Sequence, residues 1–300
     1  MRNTDVASNF AARPKKAVPS RGGSDVDLPA KRAVITGAAR GIGRAVARLF
    51  AAEGWGVVVS DVDADALDEL AVELERQKAR YAAVVADVAD VAQVHRLFAE
   101  AEKALGDINV LVNCAGMRLI TDLLSVTEEQ WDRVMDVNVK GTFFSMQAVV
   151  PTMRRAGGGK IVNLGSVSGI VGVANRAPYC AAKAAVDGLT RQAAVELAAS
   201  NIQVVAVAPG YTAETEMTAM YDDEVIEAMR ATLPLGTDRH HPKDVAETVL
   251  FLASDRTRAI SGTTVVVDNA LTTSLLPDAW PWHITPELQP LDRTSGTDQR

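Results

Sequence analysis

Between Arg32 and Ala270 the apolar positions fall into two alternating kinds of run. Short, wholly apolar stretches recur at Ala33-Val34-Ile35, Val57-Val58-Val59, Ala82 to Ala86, Ile108 to Val112, Ile161-Val162, Val204 to Val207 and Val265 to Val267. Their length and β-branched content predict strands, and the lack of polar alternation predicts strands covered on both faces. Between them apolar residues return every three or four positions. Ile42, Val46, Leu49 and Phe50 share one helical face, as do Leu67, Leu70, Ala71 and Leu74, then Val91, Val94, Leu97 and Phe98. Thr127, with Gln130 three residues on, has capping-box spacing and opens a long helix. Another helix runs from Tyr179 to Ala199. The alternation predicts one α/β domain over residues 31–270, a parallel sheet of seven strands flanked by helices on both faces.

The two ends lack this order. Residues 1–30 mix Arg, Lys, Ser, Asn, Gly and Pro without an apolar period, which predicts a disordered arm. Asp5, Asp25 and Asp27 count against a mitochondrial presequence. The tail over 271–300 is also aperiodic, yet it carries Trp280 and Trp282, which leaves two readings: tryptophans docked on this subunit or a neighbour, or a disordered terminus with stray aromatics.

Composition narrows the partners. Apolar residues make up 48% and charged ones 23%, as in soluble globular proteins. The net charge of −7 argues against nucleic acid and against anionic membranes, though a local backbone site can still hold a small anion. No apolar run approaches the ~20 residues that span a bilayer. Two cysteines, Cys114 and Cys180, point to a reducing, cytoplasmic setting without a disulfide. The four histidines have no ligand spacing, so no metal site is expected.

Three stretches carry chemistry. Thr36-Gly37-Ala38-Ala39-Arg40-Gly41-Ile42-Gly43 joins the first strand to the first helix. Glycines there let the backbone turn tightly and approach a pyrophosphate, which rests on the helix N-terminus. Asp61 closes the second strand, where a carboxylate accepts hydrogen bonds from an adenosine ribose and repels a 2′-phosphate. It argues for NAD over NADP. Arg40 cuts the other way, since an arginine in the turn can reach that phosphate; capping of the following helix is the other use open to the aspartate. Finally, Tyr179 and Lys183 stand four apart behind Pro178, a helix-starting residue, and so share a face. A phenol titrates near ~10 in water, and a neighbouring ammonium is expected to lower that value until the tyrosine can move a proton.

These motifs, in this order, resemble the short-chain dehydrogenase/reductase family over about residues 30–270. The resemblance implies a Rossmann-like doubly wound domain that binds NAD(P). Gly37, Arg40, Gly41, Ile42 and Gly43 match the family's cofactor turn. Asp87-Val88 match the pair flanking the adenine, and Asn113-Cys114-Ala115-Gly116 resembles the family's Asn-Asn-Ala-Gly, with Cys114 as a departure. Asn138 matches the asparagine of the catalytic tetrad, Ser166 lies thirteen residues before Tyr179, and Lys183 completes the set. By the same resemblance, Ser166 steadies the substrate oxygen, Tyr179 moves the proton, and Lys183 holds the nicotinamide ribose. Asn138 anchors a water that links Lys183 to solvent. Pro209-Gly210 match the segment walling the nicotinamide, and Thr212 and Thr215 compete for the place of the threonine that follows it.

The usual Asp-Gly-Gly near the end reads Asp268-Asn269-Ala270; asparagine tolerates a left-handed backbone, so the turn can survive. Substrate choice is expected of Arg118, Ser168, Val171, Val173, Arg176, Tyr211 and the stretch Met217 to Met220. Most are small or apolar, which suits a hydrophobic alcohol or ketone, while Arg118 and Arg176 are open to two readings, solvated surface arginines or a clamp for a carboxylate. Family precedent implies a homotetramer built on Glu129 to Met153, Tyr179 to Ala199 and Thr263 to Asp268. Three readings follow: an NAD-dependent dehydrogenase of secondary alcohols, an NADP-dependent carbonyl reductase of the 3-ketoacyl-carrier type, and a nucleotide-binding scaffold without catalysis. Retention of the whole tetrad speaks against the third.

Overall fold

Val57, Val58 and Val59 are all fully buried. Consecutive strand residues point to opposite faces, so this requires cover on both sides of the sheet. The computed structural model describes residues 31–213, 215, 224, 233–235 and 241–273. The expected arm over 1–30, Met217 to Met220, and Trp280 and Trp282 of the tail lie outside the described residues. The strands are β1 (Arg32–Thr36), β2 (Gly56–Asp61), β3 (Tyr81–Val85), β4 (Val110–Asn113), β5 (Gly159–Leu164), β6 (Ile202–Pro209) and β7 (Thr264–Val267). All pair in parallel, in the order β3-β2-β1-β4-β5-β6-β7. The described helices are α1 (Gly41–Ala52), α2 (Ala64–Arg76), α3 (Val91–Leu105), α4 (Glu128–Met135), α5 (Gly141–Arg155), α6 (Ala177–Leu197) and α7 (Pro242–Ala253). The seven-stranded parallel sheet is the one that the alternation of runs predicts, and its architecture is the Rossmann-like doubly wound fold that the family resemblance implies.

Strand periodicity sorts the core into two. Ala33, Ile35, Val57 and Val59 face Phe50 of α1, Leu67, Leu70 and Leu74 of α2 and Val245 and Leu252 of α7. Their neighbours Val34 and Val58 face Leu97 and Phe98 of α3, Met153 of α5 and Leu197 of α6. Each such leucine or phenylalanine contributes about 1.5–3 kcal/mol on burial, so both faces anchor their helices firmly. β1 has β2 on one side and β4 on the other, and the chain reverses its direction of winding there. The loops leaving β1 and β4 therefore part and open a crevice at the carboxyl edge of the sheet.

The long helix from Thr127 departs from expectation. It opens with both arms of the capping box formed. At Asp136–Lys140, however, it widens into a π turn before α5, and the Gly141 N–H reaches back to the Asp136 carbonyl. Side chains compete for the helical carbonyls there: Asn138 Nδ2 donates to Val134 O at 2.9 Å and Thr142 Oγ1 to Asn138 O at 2.8 Å. Such bulges are rare and recur at functional sites.

The turn after β7 survives its altered sequence, with Asn269 at φ 54° and Ala270 at φ 67°. Asp268 holds it, accepting from Ala270 N at 3.0 Å and Thr272 N at 2.7 Å. A left-handed alanine costs roughly 1–2 kcal/mol. Ala270→Gly removes that strain but adds about 0.4–1 kcal/mol of unfolded-chain entropy. The net expectation is a stabilisation of about 1 kcal/mol or less, read as a rise of a few degrees in Tm by calorimetry.

Candidate active site

Gly37 ends β1 in a left-handed turn (φ 63°), and a Cβ there would lie 2.6 Å from the Ala115 backbone. The two crevice loops thus touch at their bases. Gly43 is equally tight, because its Cβ would meet Gly37 O at 2.0 Å. Gly41 has more room: its Cβ would meet the Thr215 side chain at ordinary contact distance, Cγ2 at 3.5 Å and Cβ at 3.6 Å. Unlike α2, α3 and α4, whose first turns are capped by Asp63, Asp90 and Thr127, α1 has no side-chain cap. Its first amides and positive dipole end therefore face the crevice, an arrangement that fits a pyrophosphate.

The crevice encloses about 740 Å³, a volume suited to a dinucleotide and a small substrate. At the β2–β3 end its wall includes Asp61, Asp63, Asp87 and Val88. Asp61 does not cap α2. Its carboxylate accepts from Ala39 N at 3.0 Å and Asp63 N at 3.1 Å, tying the glycine turn to β2 and keeping lone pairs for a ribose. Asp63 is the cap, accepting from Ala66 N at 3.0 Å. It also takes Arg40, with Nη2 at 2.6 Å and Nε at 3.2 Å from the same oxygen. The Ala66 amide first, then Arg40, holds the Asp63 carboxyl below its ordinary range. The arginine that could have received a 2′-phosphate is thus engaged by a second carboxylate. Asp87 receives both Nη atoms of Arg133 at 3.1 Å, and Val88 packs where a Cβ on Gly141 would lie at 2.9 Å. Neither Asp63 nor Arg133 is legible as a wall residue from sequence, since both reach the site by long-range pairing.

The β4–β6 end collects the remaining candidates: Ala115, Gly116, Arg118, Ser166, Ser168, Arg176, Tyr179, Lys183, Pro209, Gly210, Tyr211 and Thr212, along with Thr215. Pro178 lies in the first turn of α6, and Tyr179 and Lys183 follow on its inner face, 6% and 4% exposed. Lys183 Nζ lies 5.6 Å from the Tyr179 ring centroid and donates to Leu164 O at 2.8 Å. Ser166 precedes a single 3-10 turn (Val167–Gly169); its Oγ accepts from Ser168 N at 3.1 Å, and its hydroxyl hydrogen-bonds the Tyr179 phenol.

The expected lowering of the phenol does not hold in this site. Burial raises the Tyr179 pKa above its ordinary value of 10.0; the Ser166 hydrogen bond and the charges of Arg118 and Arg176 only oppose it. Burial likewise brings Lys183 down to about 8, against the pull of Cys114 and Asp187, so its own charge is weakened. The Cys114 thiol is pushed up to about 12, chiefly by burial, and is inert as a nucleophile at neutral pH.

Two members of the candidate set stand behind the wall. Asn113 is buried in the sheet, where Nδ2 donates to Asn163 Oδ1 at 2.9 Å, so its side chain orders the strands and does not meet the crevice. Asn138 is held by Met117 O and Val134 O, both at 2.9 Å, while its Oδ1 is buried without a hydrogen-bond partner among the described residues. A Cβ on Gly116 would lie 2.9 Å from that oxygen and 3.4 Å from Lys183 Nζ. The missing side chain leaves a gap between them. Val171 is not part of the crevice wall. Thr212 is buried, with Oγ1 3.4 Å from Gly210 O, whereas Thr215 sits over Gly41. Among the described residues no His, Cys, Asp and Glu side chains cluster to hold a metal, and no helix is long and apolar enough to cross a membrane.

A glycine turn, an uncapped helix start and a tyrosine-lysine-serine cluster thus share one crevice. Residues 37–272 match the family model described as enoyl-(acyl carrier protein) reductase. The chain is 41% identical to a 3-oxoacyl-(acyl-carrier-protein) reductase of Thermotoga maritima over 81% of its own length and 98% of the relative's. It is 34% identical to an NAD-dependent glycerol dehydrogenase of Listeria innocua, covering 83% and 96% respectively. A solved short-chain type dehydrogenase/reductase from Mycobacterium marinum superposes with a TM-score of 0.75 at 33% identity, over 81% of this chain and 95% of that one. The protein belongs to the short-chain dehydrogenase/reductase family, enzymes that act on CH–OH groups with NAD(P).

Proposed function

We propose that the protein is an NAD-dependent oxidoreductase that interconverts a secondary alcohol and a ketone, with Tyr179 as the acid and base. The convergence of Tyr179, Ser166 and Lys183 at one end of a crevice whose other end carries Asp61 is the observation on which this rests. When bound, the nicotinamide takes or supplies the hydride at the reacting carbon. In oxidation Tyr179 Oη accepts the hydroxyl proton as the C–H bond breaks, and in reduction it returns that proton to the carbonyl oxygen. Ser166 Oγ accepts from the Ser168 amide, and the hydroxyl that meets the Tyr179 phenol turns its hydrogen to the substrate oxygen when the substrate seats between the two, steadying its negative charge. Lys183 spends one N–H on Leu164 O and keeps two for the ribose and for proton exchange. The unpartnered Asn138 Oδ1 and the gap at Gly116 suit a water that carries the proton outward. NAD-linked oxidation of secondary alcohols, followed by absorbance, tests the reading; no turnover in either direction with either cofactor would overturn it.

Two carboxylates support NAD over NADP. A 2′-phosphate brought against Asp61, with Arg40 engaged by Asp63, meets repulsion of several kcal/mol. The expected preference in kcat/KM is therefore about 100-fold or more for NAD, and Asp61→Ser should cut it at least tenfold by admitting NADP. An NADP preference in the parent enzyme reverses the assignment.

The second reading, an NADP-dependent reductase of 3-oxoacyl carriers, draws on the 41% identical relatives of that name. The same cofactor comparison, run on ketones and on acyl thioesters, separates the two. We also infer a homotetramer: Trp131 of α4, Phe143 of α5 and Val266 of β7, on the elements family precedent assigns to subunit contacts, are 39%, 40% and 40% exposed. Two free cysteines suit a cytoplasmic setting.

A further inference from the structure

One turn beyond Lys183, α6 buries a second charged side chain. Asp187 is 7% exposed and follows Tyr179 and Lys183 on the same inner face of the helix, each four residues from the next. Its Oδ1 accepts from Thr264 Oγ1 of β7 at 2.8 Å, the hydrogen bond it makes among the described residues. A buried carboxylate with one neutral partner is costly unless a cation stands near it. Lys183 is that cation, for the two heads flank a single peptide group. Lys183 Nζ donates to Leu164 O at 2.8 Å, while a Cβ on Gly165 would lie 3.4 Å from Asp187 Oδ1. Besides Asp187, the ionisable neighbours of Lys183 are Tyr179 of α6 and Cys114 from the end of β4. Burial holds the phenol above its ordinary 10.0 and pushes the thiol up to about 12, so both are neutral near pH 7. Cys114 attracts the ammonium only as a thiolate, and Arg118 and Arg176 bear on the phenol. Asp187 is therefore the charged neighbour that acts on Lys183 at neutral pH.

We propose that Asp187 is a positioning residue that keeps Lys183 protonated during the reaction, its carboxylate fixed by Thr264 and its charge acting along one turn of α6. Burial draws the ammonium down from its ordinary 10.5 to about 8 with the carboxylate in place. Without that charge the proton should leave at lower pH, because nothing else nearby offsets the burial. A neutral lysine no longer supports the phenolate that oxidation needs. The role rests on the proposed function, in which Lys183 sustains Tyr179 and holds the ribose. It also gives a reason for the contact between α6 and β7: the strand lends a hydroxyl to a carboxylate that serves the site from behind.

The test is a pH titration of Lys183 in the full-length, NAD-free protein, followed by NMR of lysine isotope-labelled at Cε. The Lys183 signal is assigned by its loss in Lys183→Arg. Asp187→Asn keeps an oxygen for the Thr264 hydroxyl and removes the charge. Its Lys183 midpoint should move to lower pH, and kcat/KM for oxidation at about pH 8 should fall about three- to tenfold. Asp187→Ala removes the hydrogen bond as well and should move the midpoint in the same direction. A midpoint that stays at the parental pH in whichever of the two variants folds overturns the assignment, since that is the result of a role confined to packing. The titration needs no turnover. A midpoint that falls in a protein that oxidises no alcohol upholds the coupling of Asp187 to Lys183 and retires the proposed reaction. An active enzyme whose midpoint does not move does the reverse.

Discussion

Tyr179→Phe is expected to lower kcat for alcohol oxidation by about 100- to 10,000-fold, the range associated with loss of a positioned acid/base. The ring is 6% exposed, so phenylalanine keeps its packing and only Oη is lost. Melting temperature should stay within a few degrees, and affinity for NAD within a few-fold, which separates a chemical defect from a folding one. The pH profile sharpens the test. Oxidation requires the phenolate, and burial holds the Tyr179 pKa above its ordinary 10.0 in the unliganded enzyme. The fraction in base form therefore grows with pH across the neutral and alkaline range, and kcat/KM for oxidation should still be climbing at pH 9. Reduction uses the protonated phenol and should show no such rise. Loss of charge on Lys183 near its value of about 8 works against the climb by weakening the field on the phenolate. In Tyr179→Phe the slope that belongs to the phenol should disappear. A variant that kept parental kcat and parental slope would show that the proton travels by another group.

How much of this site lies open to a reader of the sequence depends on the distance over which each feature is decided. The strands were legible because each is a local run: Val57, Val58 and Val59 announce cover on both faces by themselves, and the structure gives it. The pairing of Tyr179 with Lys183 is equally local, one helical turn, and so is the capping box at Thr127. The charge state of the phenol was not, because it is set by burial, which depends on segments far away in the chain. The π turn at Asp136–Lys140 also escaped the pattern: it costs no apolar period and arises from hydrogen bonds of Asn138 and Thr142 to backbone carbonyls. The same holds for the ion pairs Arg40–Asp63 and Arg133–Asp87, each joining loops or helices more than twenty residues apart. Asn113 differs again: its place in a family motif points to the cofactor, while the partner of its side chain, Asn163, lies fifty residues on and is visible only in the structure.

Gly43→Ala should impair folding and cofactor binding together. The added methyl would lie 2.0 Å from Gly37 O, 2.8 Å from Gly37 C and 3.0 Å from Ala38 Cα, all backbone atoms of the turn. No side chain can swing aside to make room, so the turn itself must shift, at a cost of roughly 1–3 kcal/mol or more. The shift moves the amides that face the crevice, and a displacement of about 1 Å in a positioned site can cost about 100-fold. NAD affinity is accordingly expected to fall by two orders of magnitude, with Tm several degrees lower. Gly54→Ala is the control. Gly54 has φ 78°, so alanine there meets a comparable backbone cost, but its Cβ would have nothing within 4 Å and it lies at the far end of α1. That variant should lose stability and keep its affinity. If Gly43→Ala bound NAD as tightly as Gly54→Ala, the glycine turn would not be the seat of the pyrophosphate, since a cradle that tolerates a methyl group against its own carbonyl is not holding a ligand by close backbone approach.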